Sequence, residues 1–144
     1  MKLIAHRGNT SGRISKRENN PDYIREALAS GYDAEIDVWS INNKFFLGHD
    51  ESMHEVDIDF LKTPGLWCHA KSLEALEKML ENKVHCFWHQ TDDFTITSHG
   101  YIWTYPKKTV GEKSVIVCHS AEETHAAALQ NIAGICSDYV GEIK

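Results

Sequence analysis

The sequence lacks a cationic excess. Its 144 residues carry 15 lysines and arginines against 21 aspartates and glutamates, which gives a formal net charge of −6. Proteins that bind polyanions usually present a basic face, so this balance argues against a nucleic-acid partner. A local cationic pocket for a small anion remains compatible with it.

Long apolar runs and closely spaced cysteines are also missing. No run reaches the length of a membrane span, and the initial KLIA (residues 2–5) leads directly into charged residues and is too short for a signal peptide. The cysteines, at positions 68, 86, 118 and 136, include no CxxC pair, which disfavours a zinc ribbon or a redox pair and favours small buried hydrophobic side chains. We therefore expect a cytoplasmic protein without a membrane span.

The chain also has no linker or low-complexity tract, so we expect a single domain over residues 1–144. Short runs rich in β-branched and aromatic residues predict buried strands. These runs are 2–5, 33–39, 44–48, 65–68, 84–88, 94–97, 101–105, 114–118 and 133–137.

Three segments between these runs have a helical period, and a weaker short helix is predicted over 57–62. The first helix has Asn20 as its cap, Pro21 at its first position, Gly31 at its end, and an apolar stripe of Ile24, Ala27 and Leu28. The second has Ser72 as its cap and a predicted apolar face of Leu73, Leu76, Met79 and Leu80. The third opens with a capping box of Ser120 and Glu123, with Ala127 and Leu129 among its apolar residues.

The order strand, helix, strand predicts crossover connections and a parallel sheet, which is the α/β class. The segment between the runs 94–97 and 101–105 is too short to hold a helix. Any barrel formed by this chain would therefore lack helices there.

Histidines follow several of the apolar runs. Those at a run's end are His6, His69, His89, His99 and His119, and His49 follows the run 44–48. In parallel α/β folds, ligands bind at the carboxyl ends of the strands. We therefore expect this set of histidines to face one shared site, although any single one could be a strand-end residue without a role.

Glu35 and Asp37 are two residues apart on a predicted strand, so their side chains share a face. A divalent cation would compensate two buried carboxylates and prefers oxygen ligands; a solvated acidic face on an edge strand is the alternative. His6 and His49 could accept and donate protons. Arg7 could hold a phosphate or carboxylate oxygen.

The motifs IAHRGN (4–9), REN (17–19), ASGYDAEIDV (29–38) and GHD (48–50), in this order, resemble the glycerophosphodiester phosphodiesterase family, of the phosphatidylinositol phospholipase C-like superfamily. Two later segments, IWTY (102–105) and GICSDY (134–139), show a weaker similarity to the family's later strands. The resemblance implies a TIM (β/α)8-type barrel, here abbreviated, with several helices missing in its second half. It also implies hydrolysis of small, glycerol-based phosphodiesters of lipid metabolism.

The resemblance further implies roles for single residues. His6 and His49 would be the catalytic acid–base pair, Arg7 and Lys71 would bind the substrate phosphate, and Glu35 and Asp37 would bind a divalent metal. Glu18 would either bind the metal or orient Arg7.

Two features depart from the family's pattern. A barrel of this type typically needs ~200 to 250 residues, so part of the core would have to be covered otherwise, for example by a partner subunit in a homo-oligomer. In CHAK (68–71), His69 stands where the family has a metal-binding glutamate. If His69 binds the metal, preference moves from magnesium or calcium toward manganese or zinc; if it does not, the site is weakened.

Two further hypotheses stay open beside the phosphodiesterase. One is a shrunken barrel that binds phosphate or metal without turnover. The other is a metal-dependent amidohydrolase, which is disfavoured because such enzymes usually open with an H-x-H strand and this chain has HRG (6–8).

Overall fold

The structure, a computed structural model, describes residues 1–143 and has an α/β fold built on one mixed sheet. The strands are β1 Lys2–His6, β2 Asp33–Ile41, β3 Lys44–Leu47, β4 His54–Val56, β5 Leu66–Ala70, β6 Cys86–Phe87, β7 Phe94–Ile96, β8 Ile102–Thr104, β9 Ser114–Cys118 and β10 Gly134–Ser137. The helices are α1 Pro21–Ala29, α2 Ile58–Leu61, α3 Leu73–Glu81 and α4 Ala121–Ala127, with a final 3-10 turn at Val140–Glu142.

Parallel pairing dominates the sheet, in the order β6-β5-β2-β1-β10-β9-β8. The strand β7 extends this series by pairing antiparallel with β8. The sheet curls, and just beyond β7 the backbone N–H of Ser98 donates to the carbonyl of Cys86 in β6 over 2.8 Å. The two outer strands of the curled sheet therefore approach each other at this bond.

Two of the predicted strands run antiparallel, which corrects the expectation of a parallel sheet throughout. Asn42 and Asn43, both with positive φ (50° and 63°), turn β2 back into β3 as a tight hairpin. The run 94–97 likewise folds back onto β8. In both cases the connection is too short for the crossover that parallel strands require.

The first helix forms as predicted. The Oδ1 of Asn20 accepts a hydrogen bond from the N–H of Asp22 over 2.9 Å, and Pro21 occupies the first turn. The apolar stripe packs against the sheet through Ile24 and Ala27. Gly31 ends the segment with a φ of +91°, a conformation that glycine adopts easily.

The predicted apolar face of α3 is confirmed for Met79 and Leu76, which pack into the core, and is wrong for Leu73 and Leu80. Ala75 and Met79 are buried, whereas Leu73 and Leu80 are 68% and 51% exposed. Ser72 caps the helix as expected, through the N–H of Ala75. The small Ala75 side chain lets the helix lie close to the sheet, so the helix is rotated away from its leucine-rich side.

In α4 the predicted cap is confirmed, because the Oγ of Ser120 accepts from the N–H of Glu123 over 3.1 Å. Ala127 is buried, but Leu129 is 90% exposed. The helix ends at Ala127, so Leu129 lies beyond its apolar face.

Buried core residues lie on both faces of the curled sheet. Ala34, Ile36 and Val38 of β2 point outward and are fully buried beneath the helices. A second cluster fills the inside of the curl with Ile4, Trp67, Phe87, Trp103, Val115 and Cys136. All four cysteines are buried free thiols, as expected. Across residues 1–143, no helix combines the length and apolarity needed to cross a bilayer.

Candidate metal and acid–base site

A cavity of about 140 Å³ lies at the carboxyl ends of the parallel strands. Eight of the residues singled out in the sequence line it: His6, Arg7, Glu35, Asp37, His49, His69, His89 and His119. Trp103, Tyr105, Pro106 and Val117 complete its wall. The expectation of a shared site is thus met for five of the six histidines.

The strand register brings the central side chains together. His6 of β1 pairs directly with Glu35 of β2, and Asp37 of β2 pairs directly with His69 of β5. Directly paired residues on parallel strands share a face, and alternation places these four on the inside of the curl. The Glu35 and Asp37 side chains are almost fully buried there.

Glu35, Asp37 and His69 offer one ligand atom each within 4.8 Å of one another. The Nδ1 of His69 lies 3.2 Å from the Oδ1 of Asp37 and 3.9 Å from the Oε1 of Glu35. Two carboxylates and one imidazole at this separation form a set that a divalent cation can bridge.

The His69 ring is held by its other nitrogen. Its Nε2 lies 2.9 Å from the carbonyl oxygen of His89, which can only accept, so Nε2 carries the proton. The ring also stacks on Phe87, with centroids 5.2 Å apart and an interplanar angle of 4°. In the neutral ring, Nδ1 then presents a lone pair to the carboxylates, which is how metal-binding histidines are commonly held.

Asp37 is fixed by Asn19 and Arg7. The Nδ2 of Asn19 donates to the Oδ2 of Asp37, and the Asp37 N–H donates back to the Asn19 Oδ1, both over 2.9 Å. The Nε of Arg7 lies 3.3 Å from the same Oδ2. Within residues 1–143, the buried Oδ1 has no hydrogen-bond partner. The Nδ1 of His69 lies 3.2 Å from this oxygen, so the two atoms could act together as ligands of a cation.

The two carboxyl groups differ in their proton affinity. Burial raises the pKa of Asp37, but the charged form of His69, the Arg7 cation and the Asn19 amide outweigh burial and lower it to about 2. Burial and the neighbouring Asp37 charge raise the pKa of Glu35. The raised pKa of Glu35 reflects the closeness of two buried carboxylates, and a cation bound between them would stabilise the charged form of both.

Arg7 stands in a left-handed backbone conformation, with a φ of +54°. Its Nη1 donates to the Oε2 of Glu18 over 2.9 Å, and Arg13 donates to the other oxygen of Glu18. Burial raises the pKa of Glu18, but these two arginine hydrogen bonds more than offset it and the pKa is lowered. Both oxygens of Glu18 are thus engaged by arginines, the geometry of a residue that orients Arg7.

His6 is held by the last strand of the sheet. Its Nδ1 lies 3.0 Å from the Oδ1 of Asp138, which follows β10 and also accepts from Asn9 over 2.9 Å. The Nε2 of His6 lies 3.9 Å from the Oε2 of Glu35. Burial lowers the pKa of His6, but the Asp138 hydrogen bond and the Glu35 charge outweigh it and raise the pKa.

His49 enters from the loop between β3 and β4. Its Nδ1 lies 2.8 Å from the Oδ1 of Asp50, and its side chain is 42% exposed. The preceding Gly48 has no room for a side chain, because a Cβ would meet the carbonyl oxygen of Glu51 at 1.9 Å. The indole of Trp39 donates to the Gly48 carbonyl over 2.6 Å and fixes the loop.

Two predicted residues lie elsewhere. His99 faces the opposite end of the sheet, so its expected place in the shared site is wrong: β7 runs antiparallel, which carries its carboxyl end away from the cavity. Lys71 is not among the lining residues within 1–143; its N–H donates to the carbonyl of Val38 over 2.8 Å. Its phosphate contact stays a prediction.

Sequence reasoning gave no role to Asp138 or Asn19, which hold His6 and Asp37. Both stand in quoted motifs, GICSDY and REN. An aspartate directly after a predicted strand was the available signal for Asp138.

Comparisons with known proteins find no matching family model, no matching curated protein and no matching solved structure.

Proposed function

We propose that this protein is a metal-dependent phosphodiesterase that hydrolyses small phosphodiesters, with glycerophosphodiesters as the substrate class to test first. One observation carries the proposal: the cluster of Glu35, Asp37 and His69 shares a single cavity with Arg7 and with His6 and His49, each of which pairs with a carboxylate. A purely structural cluster would not require two proton carriers beside an arginine.

The strand order supports an abbreviated TIM-type barrel as the scaffold. Seven strands follow one another in parallel, and the antiparallel β7 takes a place that a further strand and helix would fill. The cavity lies at the carboxyl ends of these strands, where such barrels place their active sites.

The cluster fits a divalent metal. Glu35, Asp37 and His69 would hold it, because the Oδ1 of Asp37 lacks a partner among residues 1–143 and the Nδ1 of His69 is aimed at both carboxylates. A metal bound there would polarise the phosphoryl oxygens as a Lewis acid. One imidazole among the ligands favours manganese or zinc over magnesium or calcium.

The chain's own residues would perform the remaining steps. The Arg7 guanidinium, held by Glu18, would neutralise charge on a phosphate oxygen. His6 would accept the proton of the nucleophile, either water or a substrate hydroxyl, while Asp138 stabilises the resulting imidazolium. His49, half exposed on its loop, would donate a proton to the leaving alcohol.

A module that binds phosphate or metal without turnover is the second candidate. Lys71, which was expected to bind the substrate phosphate, does not line the cavity within the described chain. The lack of this cation at the cavity favours a module without turnover. The two carboxylate-paired histidines oppose it, because binding alone does not require them.

The test is hydrolysis of bis-p-nitrophenyl phosphate across magnesium, calcium, manganese and zinc, followed by glycerophosphocholine. We expect metal-dependent turnover that His6→Ala and His49→Ala each lower by ~10²-fold or more. His125→Ala, on the exposed side of α4, is the matched control. Metal binding by calorimetry without turnover in any panel member would support the binding module.

The identity of the metal has its own test. His69→Glu should move the metal preference toward magnesium or calcium, since a carboxylate replaces the imidazole. An unchanged metal profile would place His69 outside the ligand set.

A homo-oligomer remains part of the proposal. In the described chain, no helix lies between β6 and β9, and Phe94 and Ile96 of β7 are 57% and 66% exposed there. A second copy packed on this face would bury them. Sedimentation of the wild type and of Phe94→Ser with Ile96→Ser tests this point, and a monomeric wild type would exclude it.

A further inference from the structure

A second cavity, of about 820 Å³, lies at the amino ends of the strands, opposite the candidate metal site. Its wall includes the starts of β1, β2 and β5 and the residues that precede β6 and β8. Its volume is in the range of small-molecule sites. The buried inner cluster that contains Ile4, Trp67 and Phe87 lies between the two cavities.

Aromatic rings form one wall of this cavity. The Trp67 ring packs against His85 at a centroid distance of 4.3 Å and against Tyr101 at 4.9 Å. The His99 ring lies parallel to His85, with centroids 4.0 Å apart and an interplanar angle of 3°. Because His99 is exposed and ends this stack, a further planar ring can continue it.

The polar groups of the cavity leave an excess of positive charge. Lys2, Lys62 and Lys83 line it. Asp33 is the one carboxylate on its wall in the part of the chain that the structure describes. That carboxylate is already engaged, because its Oδ2 accepts from the Trp67 indole over 2.9 Å and lies 3.4 Å from the Lys2 Nζ.

His85 takes part in the stack as a neutral ring. Its Nε2 lies 2.8 Å from the Oγ1 of Thr97. Burial, with the nearby His99 and Lys2, lowers the pKa of His85 to about 3. The ring is thus uncharged at neutral pH, and the lysines supply the positive charge of the cavity.

Lys83 has an unusual backbone conformation for a lysine. It follows α3 with a φ of +58°, a position that glycine takes most easily after a helix. Residues kept in this region often belong to binding sites. Here the conformation places a cationic side chain on the cavity wall.

We propose that the amino-end cavity is a binding site for a small planar anion. The ring of the ligand would stack on His99, and its anionic group, a phosphate or a carboxylate, would pair with the lysines. This site is separate from the metal cluster and does not depend on the proposed hydrolysis.

Titration of the isotope-labelled protein, followed by ¹H–¹⁵N NMR, tests the proposal with adenosine monophosphate, adenosine, inorganic phosphate and 2-naphthoate. We expect saturable shifts at the Trp67 indole and at His99, with adenosine monophosphate or 2-naphthoate binding at least tenfold tighter than adenosine or phosphate. The tighter of the two ring-bearing anions identifies the anionic group that the site prefers. Shifts confined to His6 and His119, or equal affinities for all four probes, would overturn the proposal.

Two variants separate the ring contact from the charge contact. His99→Ala should lower the affinity for the ring-bearing anions about tenfold, because the ring on which they stack is lost. Lys83→Gln should lower the affinity for adenosine monophosphate several-fold and leave the affinity for adenosine unchanged. Lys44→Gln, on the distant β3 strand, should change neither affinity. Since His99 is exposed, its loss should preserve the dispersed spectrum of the folded protein. An unchanged affinity in His99→Ala would contradict the proposed stack.

Discussion

The Nδ1 of His6 lies 3.0 Å from the Oδ1 of Asp138, although 132 positions separate the two residues in the chain. The carboxylate fixes the tautomer of His6 and turns its Nε2 toward the cavity. We expect Asp138→Asn to lower the rate of phosphodiester hydrolysis by at least tenfold, since a positioned general base contributes ~10²–10⁴-fold. Steady-state kinetics with bis-p-nitrophenyl phosphate measure the change.

The matched control for this variant is Asp50→Asn, which removes the carboxylate beside the half-exposed His49. We expect a smaller loss there, because solvent can replace Asp50. An unchanged rate in Asp138→Asn would show that His6 does not depend on Asp138 for its function. Equal losses in the two variants would show that solvent does not replace Asp50.

The proposed role of Glu35 as a metal ligand has a cost in the stability of the metal-free protein. Its pKa is raised above the ordinary value by burial and by Asp37, so its charged form at neutral pH disfavours the folded state of the metal-free protein. We expect Glu35→Gln to raise the metal-free free energy of unfolding, while it weakens metal binding. Urea denaturation in the presence of a chelator, followed by calorimetry with manganese, measures both effects.

Glu18→Gln is the control for that prediction. The pKa of Glu18 is lowered by its arginine hydrogen bonds despite its burial, so its charge favours the folded state and its removal should destabilise the protein. If both variants were destabilised alike, charge repulsion between Glu35 and Asp37 would not be what limits the stability of the metal-free protein.

Gly8 provides the turn that follows His6 and Arg7. Its φ is +93°, and an added Cβ would meet the Cδ2 of Tyr23 at 2.6 Å. We expect Gly8→Ala to cost about 1–3 kcal/mol of stability from overpacking, in addition to backbone strain. Gly31→Ala is a matched control, because its φ of +91° is similar and no atom lies within 4 Å of the added Cβ. It should cost about 1 kcal/mol. Equal costs by urea denaturation would contradict the steric argument.

The lowered pKa of His85 predicts that the stability of the protein depends on pH. Its pKa in the folded state is lowered to about 3, first by burial and then by His99 and Lys2, from an ordinary value of 6.5. Between these values the unfolded chain binds the proton and the folded chain does not, so stability falls as the pH falls from 6.5 toward 3. We expect His85→Phe to reduce the difference in unfolding free energy between neutral pH and about pH 5.

His125→Phe, on the exposed side of α4, should leave that difference unchanged. Urea denaturation at the two pH values measures both variants. A His85→Phe protein with the full wild-type pH dependence would assign the effect to other groups.

The alternating residue pattern of β2 predicts that Glu35 and Asp37 share the inner face, because alternation along a strand depends only on neighbouring residues. Glu35 and Asp37 face inward while Ala34, Ile36 and Val38 face the helices. The same holds for the capping residues Asn20 and Ser72, whose side chains bond to the backbone a few positions away.

Features that depend on distant contacts were predicted less well. His99 was assigned to the wrong end because strand direction is set by pairing with β8, which the local apolar pattern does not encode. The helical period of the segment predicts Leu73 and Leu80 on the buried face of α3, but the fully buried Ala75 turns the helix so that both leucines are exposed. The role of Asp138 required the pairing of β1 with β10.

That pairing of the first and last strands also has a consequence for the order of folding. Ala5 stands beside Ser137 in the ladder, so Asp138 reaches His6 only after the two most distant parts of the chain have met. Contacts of such long sequence separation are slow to form, because loop-closure entropy opposes them. During refolding, recovery of the His6 environment should therefore lag behind the recovery of helical signal from α1 and α3.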